Sequence, residues 1–226
     1  MTAREAILAS IRRALGVTGR EAPRRKAVAD RLREHPDGVV PARGKLVPQA
    51  RAELFRKMLE AAAGTVEEVQ RASDVPGAVA AFLRAHNLPM VVRRGEDPRL
   101  EAMPWQRERT LELRKGASDG NDLAAVSQAF GAIAESGTLM LTSGKENPTT
   151  LNFLPDTHIV VVEARDIAGD YETLWRKLRE RIGAGVMPRT VNWITGPSRS
   201  ADIEQTLILG AHGPRRLHVM IVGEAE

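Results

Sequence analysis

The sequence contains no cysteine, so chemistry that depends on a thiol of the chain itself is excluded. The chain cannot form a disulfide, use a thiol nucleophile or hold an ordinary iron–sulfur cluster by itself. Any redox chemistry therefore needs a cofactor or a partner protein that carries the electrons. Aromatic residues make up only 4% of the chain, which leaves little surface for stacking on nucleic-acid bases.

Long apolar runs are also missing. No stretch approaches the roughly 18 consecutive apolar residues of a membrane-spanning helix, so no membrane span is predicted. The opening residues, MTAREAILASIRRALG, place charges among their apolar positions and do not resemble a secretory signal. We therefore expect a cytoplasmic location.

Positive charge is concentrated in one segment. Residues 12–33 hold eight Lys or Arg and two Asp or Glu, a net charge of +6, whereas the rest of the chain holds 25 basic and 27 acidic residues. A solvated arm accounts for this pattern, and so does an arm that binds RNA or an acidic partner. Because the basicity does not belong to the globular body and aromatic residues are scarce, the composition argues against a nucleic-acid partner.

Helical and strand patterns alternate along the chain. The apolar spacing predicts helices over residues 2–16, 49–63, 74–86, 128–135, 170–182 and 200–209. Apolar runs predict strands at TVEEV, PMVVRR, TLELR, TLMLTS, HIVVVEA, TVNWIT and LHVMIV. Because most of these strands are continuous apolar runs, we expect an α/β fold whose mainly parallel sheet carries helices on both faces and binds ligands at the carboxyl ends of its strands.

The sequence suggests two parts. Residues 1–48 comprise an amphipathic helix followed by a basic linker arm, since apolar periodicity fades after Gly16 and Pro, Gly and Arg accumulate. Residues 49–226 then form one globular domain. The arm could hold a partner protein or fold back on its own domain.

The stretch AESGTLML places a carboxylate in a glycine-containing turn before a strand. The simplest interpretation is that Gly137 lets the chain turn and has no other role. In a functional interpretation, Glu135 acts as a catalytic carboxylate at the sheet edge. We take Glu135 as a candidate catalytic residue and Gly137 and Thr138 as candidate substrate contacts. The next loop, TSGKENPTTLNFLP, could hold an anion, but it lacks phosphate-loop spacing and is more simply a polar crossover.

The stretch TGPSRSADIE leads from a predicted strand into a predicted helix. Ser198 or Ser200 can cap that helix, and the acidic residues that follow suit its positive end. If the first turn stays open, its N–H groups together with Ser198, Arg199 and Ser200 form a candidate anion site. His212, in the following turn GAHGP, is a candidate catalytic base.

Motifs for several other chemistries are absent. The histidines have no i,i+4 pairing and HExxH does not occur, so no metal site is predicted. GxSxG and a strand-linked GxGxxG are missing as well, which leaves a serine hydrolase and a classical dinucleotide fold without support.

Several quoted segments together resemble a known family. AIAESGTLML, LPDTHIVVV, WITGPSRSADIEQTLILGAHGPRRLHVMIV and the N-terminal ILASIRRALG are similar to the lactate-utilisation (LUD) domain family, and the N-terminal helix suits its protein C branch. The resemblance covers the chain from about residue 49 to its end. The family's usual SRTADIE and AETGT are SRSADIE and AESGT here, both mild changes.

The resemblance implies a fold like that of the ribose-5-phosphate isomerase, glucosamine-6-phosphate deaminase and CoA-transferase group. It also implies a role in a three-protein system that oxidises L-lactate to pyruvate, in which the two partner proteins carry the iron–sulfur clusters and this chain binds no cofactor alone. In that setting Arg199 would bind the lactate carboxylate and His212 would take the hydroxyl proton.

Two alternatives stay open. The fold group implied by the resemblance also contains enzymes for acyl-CoA and sugar-phosphate substrates, and Glu135 before Gly137 resembles the Glu-x-Gly setting of the CoA-transferase nucleophile. The basic arm could instead serve a nucleic-acid or regulatory binder, whose binding would be sensitive to salt and lost without residues 1–48.

Overall fold

The computed structural model describes residues 2–183, 185–200 and 208–223. The chain divides into two compact units, Met1–Val39 and Val40–Glu226. Among the helices of these described ranges, none is long and apolar enough to cross a membrane.

The first unit contains two helices, α1 (Ala3–Ala14) and α2 (Ala22–Glu34). A capping box starts α1, because the Thr2 side chain accepts from the Glu5 N–H at 3.2 Å and the Glu5 carboxylate accepts from the Thr2 N–H at 2.7 Å. Helix α1 agrees with the sequence analysis, which did not predict α2. Neither helix has a buried residue.

The second unit contains four helices and twelve strands among its described residues. The helices are α3 (Pro48–Ala61), α4 (Val75–Ala85), α5 (Pro98–Glu101) and α6 (Tyr171–Ile182). The strands are β1 (Thr65–Val69), β2 (Val91–Arg94), β3 (Glu112–Lys115), β4 (Ala124–Gln128), β5 (Gly131–Ile133), β6 (Thr138–Thr142), β7 (Thr157–Glu163), β8 (Ile167–Ala168), β9 (Val191–Ile194), β10 (Arg199–Ser200), β11 (Ile208–Leu209) and β12 (Arg216–Val222).

The larger sheet has six strands in the order β1-β12-β7-β4-β2-β3, and every neighbouring pair is parallel. This confirms the predicted α/β class with a mainly parallel sheet. Strand β7 is buried along almost its whole length, as its THIVVVE sequence requires of a strand covered on both faces. Its alternate residues therefore enter two different cores.

Val160 and Val162 face the core that also contains Phe55 and Leu59 of α3. Ile159 and Val161 face the opposite core, which α4 closes with Val79, Phe82 and Leu83. Burial of these aliphatic and aromatic side chains is the main stabilising contribution to the fold.

A second sheet of four strands, in the order β8-β5-β6-β9, packs against the α3 side of the larger sheet. Its outer face is covered by α6 through Leu174 and Leu178. The helix predicted over residues 128–135 is wrong, because β4 ends there at Gln128 and β5 follows. A short buried apolar run does not distinguish helix from strand, and pairing of β5 with both β6 and β8 decides for the strand.

Candidate functional site

A cavity of about 270 Å³ lies where β7 and β12 begin and β9 ends. Its lining comes from Asn152, Phe153, His158, residues 193–199, His212, Gly213, Pro214 and Leu217. The expected place was the carboxyl end of the parallel strands, whereas this cavity lies at the amino ends of β7 and β12. The difference arises because both glycine-containing turns of the cavity wall precede β12 in the chain.

Backbone hydrogen bonds hold these two turns together. The Ser198 N–H donates to the Pro214 carbonyl at 2.9 Å, and the Gly210 N–H donates to the Ser198 carbonyl at 2.8 Å. The Ser198 hydroxyl oxygen accepts from the His212 N–H at 3.2 Å. The structure therefore brings three predicted residues, Ser198, Arg199 and His212, to one cavity wall, and Ser198 links the two turns.

The helix predicted over residues 200–209 is wrong at both described ends. Arg199 and Ser200 form β10, which pairs antiparallel with Ile208 and Leu209 of β11. Residues 201–207, which include the predicted first-turn acid Asp202, lie outside the described residues. Because the Ser198 N–H and carbonyl both bond to the following turn, Arg199 and Ser200 enter a strand pair with Ile208 and Leu209.

Gly196 fixes the position of the cavity wall against helix α3. Its backbone has φ +76°, and a Cβ atom at this position would lie 2.2 Å from the Ala62 carbonyl oxygen. Only glycine combines this left-handed conformation with so close an approach.

Two buried polar side chains line the deep end of the cavity. Asn152 is 1% exposed and His158 is fully buried. His158 Nε2 lies 3.0 Å from the Ser127 hydroxyl oxygen, and burial lowers the pKa of His158 to about 3, so its imidazole is neutral. Among the described residues, neither polar atom of the Asn152 amide nor His158 Nδ1 has a hydrogen-bond partner.

Sequence reasoning did not select Asn152 and His158 as site residues. Both come from segments it quoted, Asn152 from the polar crossover after β6 and His158 from the start of THIVVV. A histidine inside a run of buried β-branched residues was the available signal, because a buried polar group needs a partner. Lys145, which lies in the loop that the sequence analysis considered for an anion, is not among the cavity-lining residues.

Among the remaining predicted residues, Glu135 and Gly137 lie in the turn between β5 and β6, Thr138 begins β6 and Ser200 lies in β10; none of them lines the cavity. Glu135 is 4% exposed, and its Oε2 has no hydrogen-bond partner among the described residues. Burial raises the pKa of Glu135, while a backbone hydrogen bond from Tyr171 opposes the shift. Gly137 has φ +65°, and a Cβ there would lie 2.4 Å from the Leu59 nitrogen, so this glycine serves close packing on α3.

A hydroxyl cluster connects this turn with the cavity wall. Thr138 Oγ1 lies 2.6 Å from Thr195 Oγ1, 2.8 Å from Ser136 Oγ and 3.0 Å from the Tyr171 hydroxyl. Thr195 is a cavity-lining residue, whereas Thr138 is not. The predicted Thr138 thus supports the wall through Thr195. Within the described ranges, no group of three or more His, Asp or Glu side chains is placed to hold a metal ion.

A parallel sheet backed by a second sheet, with a cavity beside two linked glycine-containing turns, defines this α/β domain, and one cavity wall carries a cation, a hydroxyl and an imidazole. The sequence model of the LUD domain matches residues 52–222, and the chain therefore belongs to the LUD domain family.

Relatives and a solved structure are consistent with this assignment. The chain is 37% identical over 127 residues to lactate utilization protein C of Geobacillus thermodenitrificans, covering 52% of this chain and 53% of that protein. It is 35% identical over 121 residues to lactate utilization protein C of Bacillus subtilis, covering 53% and 50%. The aligned region thus spans about half the length of these relatives.

The fold is shared with a crystal structure of a DUF162 family protein from Deinococcus radiodurans. The TM-score is 0.61 at 25% sequence identity, and the match covers 79% of this chain and 99% of that chain. This likeness supports the α/β fold. The narrower likeness to the isomerase, deaminase and CoA-transferase group stays a prediction.

Proposed function

We propose that this chain is the non-redox component of a cytoplasmic system that oxidises L-lactate to pyruvate, and that its cavity binds the small anionic substrate. The observation that carries the proposal is the convergence of Arg199, Ser198 and His212 on one cavity. The relatives named lactate utilization protein C support the choice of substrate.

The cavity wall suits a 2-hydroxy acid. Arg199 presents a permanently charged, forked donor that can bind both oxygens of a carboxylate. His212 follows in the linked turn and can accept the hydroxyl proton of the bound acid. The anion site proposed here consists of the side chains of Ser198, Arg199 and His212.

The electrons would go to partner proteins. Oxidation of lactate to pyruvate removes two electrons and two protons, and we assign the electrons to iron–sulfur clusters on the partners. A chain without cysteine lacks the ordinary ligands of such clusters. In this assignment the chain supplies substrate binding and proton transfer and holds no cofactor alone.

Replacement of Arg199 tests the site. We expect Arg199→Lys to lower lactate oxidation by the reconstituted system about tenfold or more, because lysine cannot make the bidentate contact. Arg165→Lys is the matched control, since Arg165 is paired with Glu163 at the far end of β7. Equal activity of wild type and Arg199→Lys would rule out the proposed carboxylate contact.

Co-purification tests the partners. The tagged chain would be recovered under gentle conditions from its host grown on lactate, and the eluate examined for cluster absorbance and lactate oxidation. Coloured partners together with activity that requires this chain are expected. A colourless eluate that contains this chain alone, obtained under conditions that retain lactate oxidation in the lysate, would contradict the proposed complex.

A second candidate function rests on Glu135, a buried carboxylate with a raised pKa and one oxygen without a partner among the described residues. In a CoA-transferase reaction its carboxylate would attack an acyl-CoA carbonyl and release CoA thiolate. That thiolate would then attack the Glu135 carbonyl of the anhydride and release the free acid. Incubation with acyl-CoAs followed by peptide mass spectrometry tests this, and no adduct on Glu135 across a broad acyl panel would count against it.

A further inference from the structure

The deep end of the cavity carries more hydrogen-bonding capacity than the described residues use. Asn152 offers a carbonyl acceptor and an NH₂ donor, and His158 offers Nδ1; none of these three groups has a partner among the described residues. Both side chains are more than nine-tenths buried and line the cavity. Buried polar groups in folded proteins are normally paired, so this arrangement points to a bound molecule as their partner.

The deep end is also uncharged, unlike the rim. The amide of Asn152 carries no charge, and burial keeps the imidazole of His158 neutral. The second ring nitrogen of His158 is already engaged with the Ser127 hydroxyl at 3.0 Å. A carboxylate placed there would lose its hydration without meeting a cation, whereas Arg199 at the rim is exposed.

The hydrogen-bonding capacity of these three groups indicates which functional group of a ligand can bind them. Asn152 provides one donor and one acceptor function, and a neutral imidazole nitrogen provides one or the other according to its tautomer. A carboxylate can only accept hydrogen bonds. A hydroxyl group both donates and accepts, so its oxygen can accept from these buried groups while its own proton is donated elsewhere.

We infer that Asn152 and His158 hold the hydroxyl oxygen of a hydroxy acid at the deep end of the cavity, while the hydroxyl proton of the same ligand faces His212 and its carboxylate faces Arg199 at the rim. Asn152 and His158 are then the residues that distinguish a hydroxy acid from the same acid without its hydroxyl. This inference rests on the proposed function, because it assumes that the cavity binds a small carboxylic acid. An ordered water at the deep end is the competing occupant, and it would give no such distinction.

Calorimetry on the full chain with L-lactate and propionate tests the inference, because these acids differ only by the hydroxyl. We expect L-lactate to bind about tenfold or more tightly than propionate, since propionate would leave the buried groups unpaired. Asn152→Leu should abolish this difference and leave propionate binding within about twofold of wild type. Arg199→Gln, the matched rim variant, should weaken both acids by the same factor.

A second readout does not depend on the folding of a variant. In the wild-type chain, the ¹⁵N resonance of His158 Nδ1 should shift when L-lactate is added and stay in place with propionate. Equal affinities for the two acids, or equal shifts, would overturn the inference and leave the proposed carboxylate site standing. Binding of neither acid would remove the proposed substrate site, and the inference with it.

Discussion

Burial fixes the protonation state of single residues in this fold. His158 is fully buried and its pKa is lowered to about 3; His218 is mostly buried and its pKa is lowered to about 4, first by burial and then by His86. In an unfolded chain both imidazoles would titrate near their ordinary value. The unfolded state therefore binds protons more readily than the folded state as the pH falls, and acid destabilises the protein.

The pH dependence of stability should reflect His158. Its neutral form contributes stability that is complete above the unfolded pKa of 6.5 and is lost progressively as the pH falls toward about 3. Between pH 7 and pH 5 this residue should account for a loss of about 2 kcal/mol in the free energy of unfolding. Denaturant titrations at both pH values should show a smaller loss for His158→Gln. His212→Gln, at an exposed position, serves as control. A loss in the free energy of unfolding between pH 7 and pH 5 that is the same in His158→Gln as in the wild type would refute the assignment of this loss to His158.

The backbone conformation at position 196 allows only glycine without strain. Alanine there would have to adopt φ +76° and place its Cβ 2.2 Å from the Ala62 carbonyl oxygen. We expect Gly196→Ala to lower the free energy of unfolding by about 3 kcal/mol, from strain and forced movement of the turn. Gly116→Ala is the control, because Gly116 has φ +102° with nothing within 4 Å of its Cβ position. Equal losses in the free energy of unfolding of the two variants would show that the end of α3 moves away from the added methyl group without loss of stability.

At the scale of elements, sequence patterns predicted long amphipathic or strongly β-branched segments well. Helices α3, α4 and α6 and strands β6, β7, β9 and β12 all follow from periodicity and composition. Strand β4 was missed and β5 was taken for a helix, because short buried runs acquire their identity from distant pairing partners. The same limit applies to the site. The turn residues Ser198, Arg199 and His212 are recognisable from their motif, whereas Asn152 and His158 meet them only in the folded chain.

Helix α6 depends on its N-cap. Asp170 accepts a hydrogen bond from the Thr173 N–H at 2.8 Å and another from the Thr173 hydroxyl at 2.9 Å. We expect Asp170→Ala to lower the free energy of unfolding by about 1 kcal/mol. Asp74→Ala is the matched control, because Asp74 precedes α4 without a capping bond from its side chain. A loss of similar size in both variants would show that the cap of α6 adds no stability; thermal or denaturant unfolding measures the difference.

At the scale of the molecule, charge and core lie in different units. Residues 1–39 hold nine basic and five acidic residues, a net charge of +4, and residues 40–226 hold 24 of each sign. The three buried clusters all lie in the second unit. The first unit presents apolar side chains at helical spacing, with Ile7, Ile11 and Leu15 each about half exposed or more. Core stability is thus expected from the second unit alone.

Removal of residues 1–39 should leave the second unit folded. Because α1 and α2 contribute no buried residue, we expect the truncated chain to unfold cooperatively, with a free energy of unfolding within about 0.5 kcal/mol of the full chain. Its net charge would fall from +4 to zero, so its solubility near neutral pH should fall as well. Denaturant unfolding followed by circular dichroism measures the free energy of unfolding.

A full-length chain carrying Ile7→Ser, Ile11→Ser and Leu15→Ser is the control, since it keeps the charge and loses the apolar stripe. A loss of several kcal/mol on truncation, matched by the triple variant, would show that this stripe packs against the second unit.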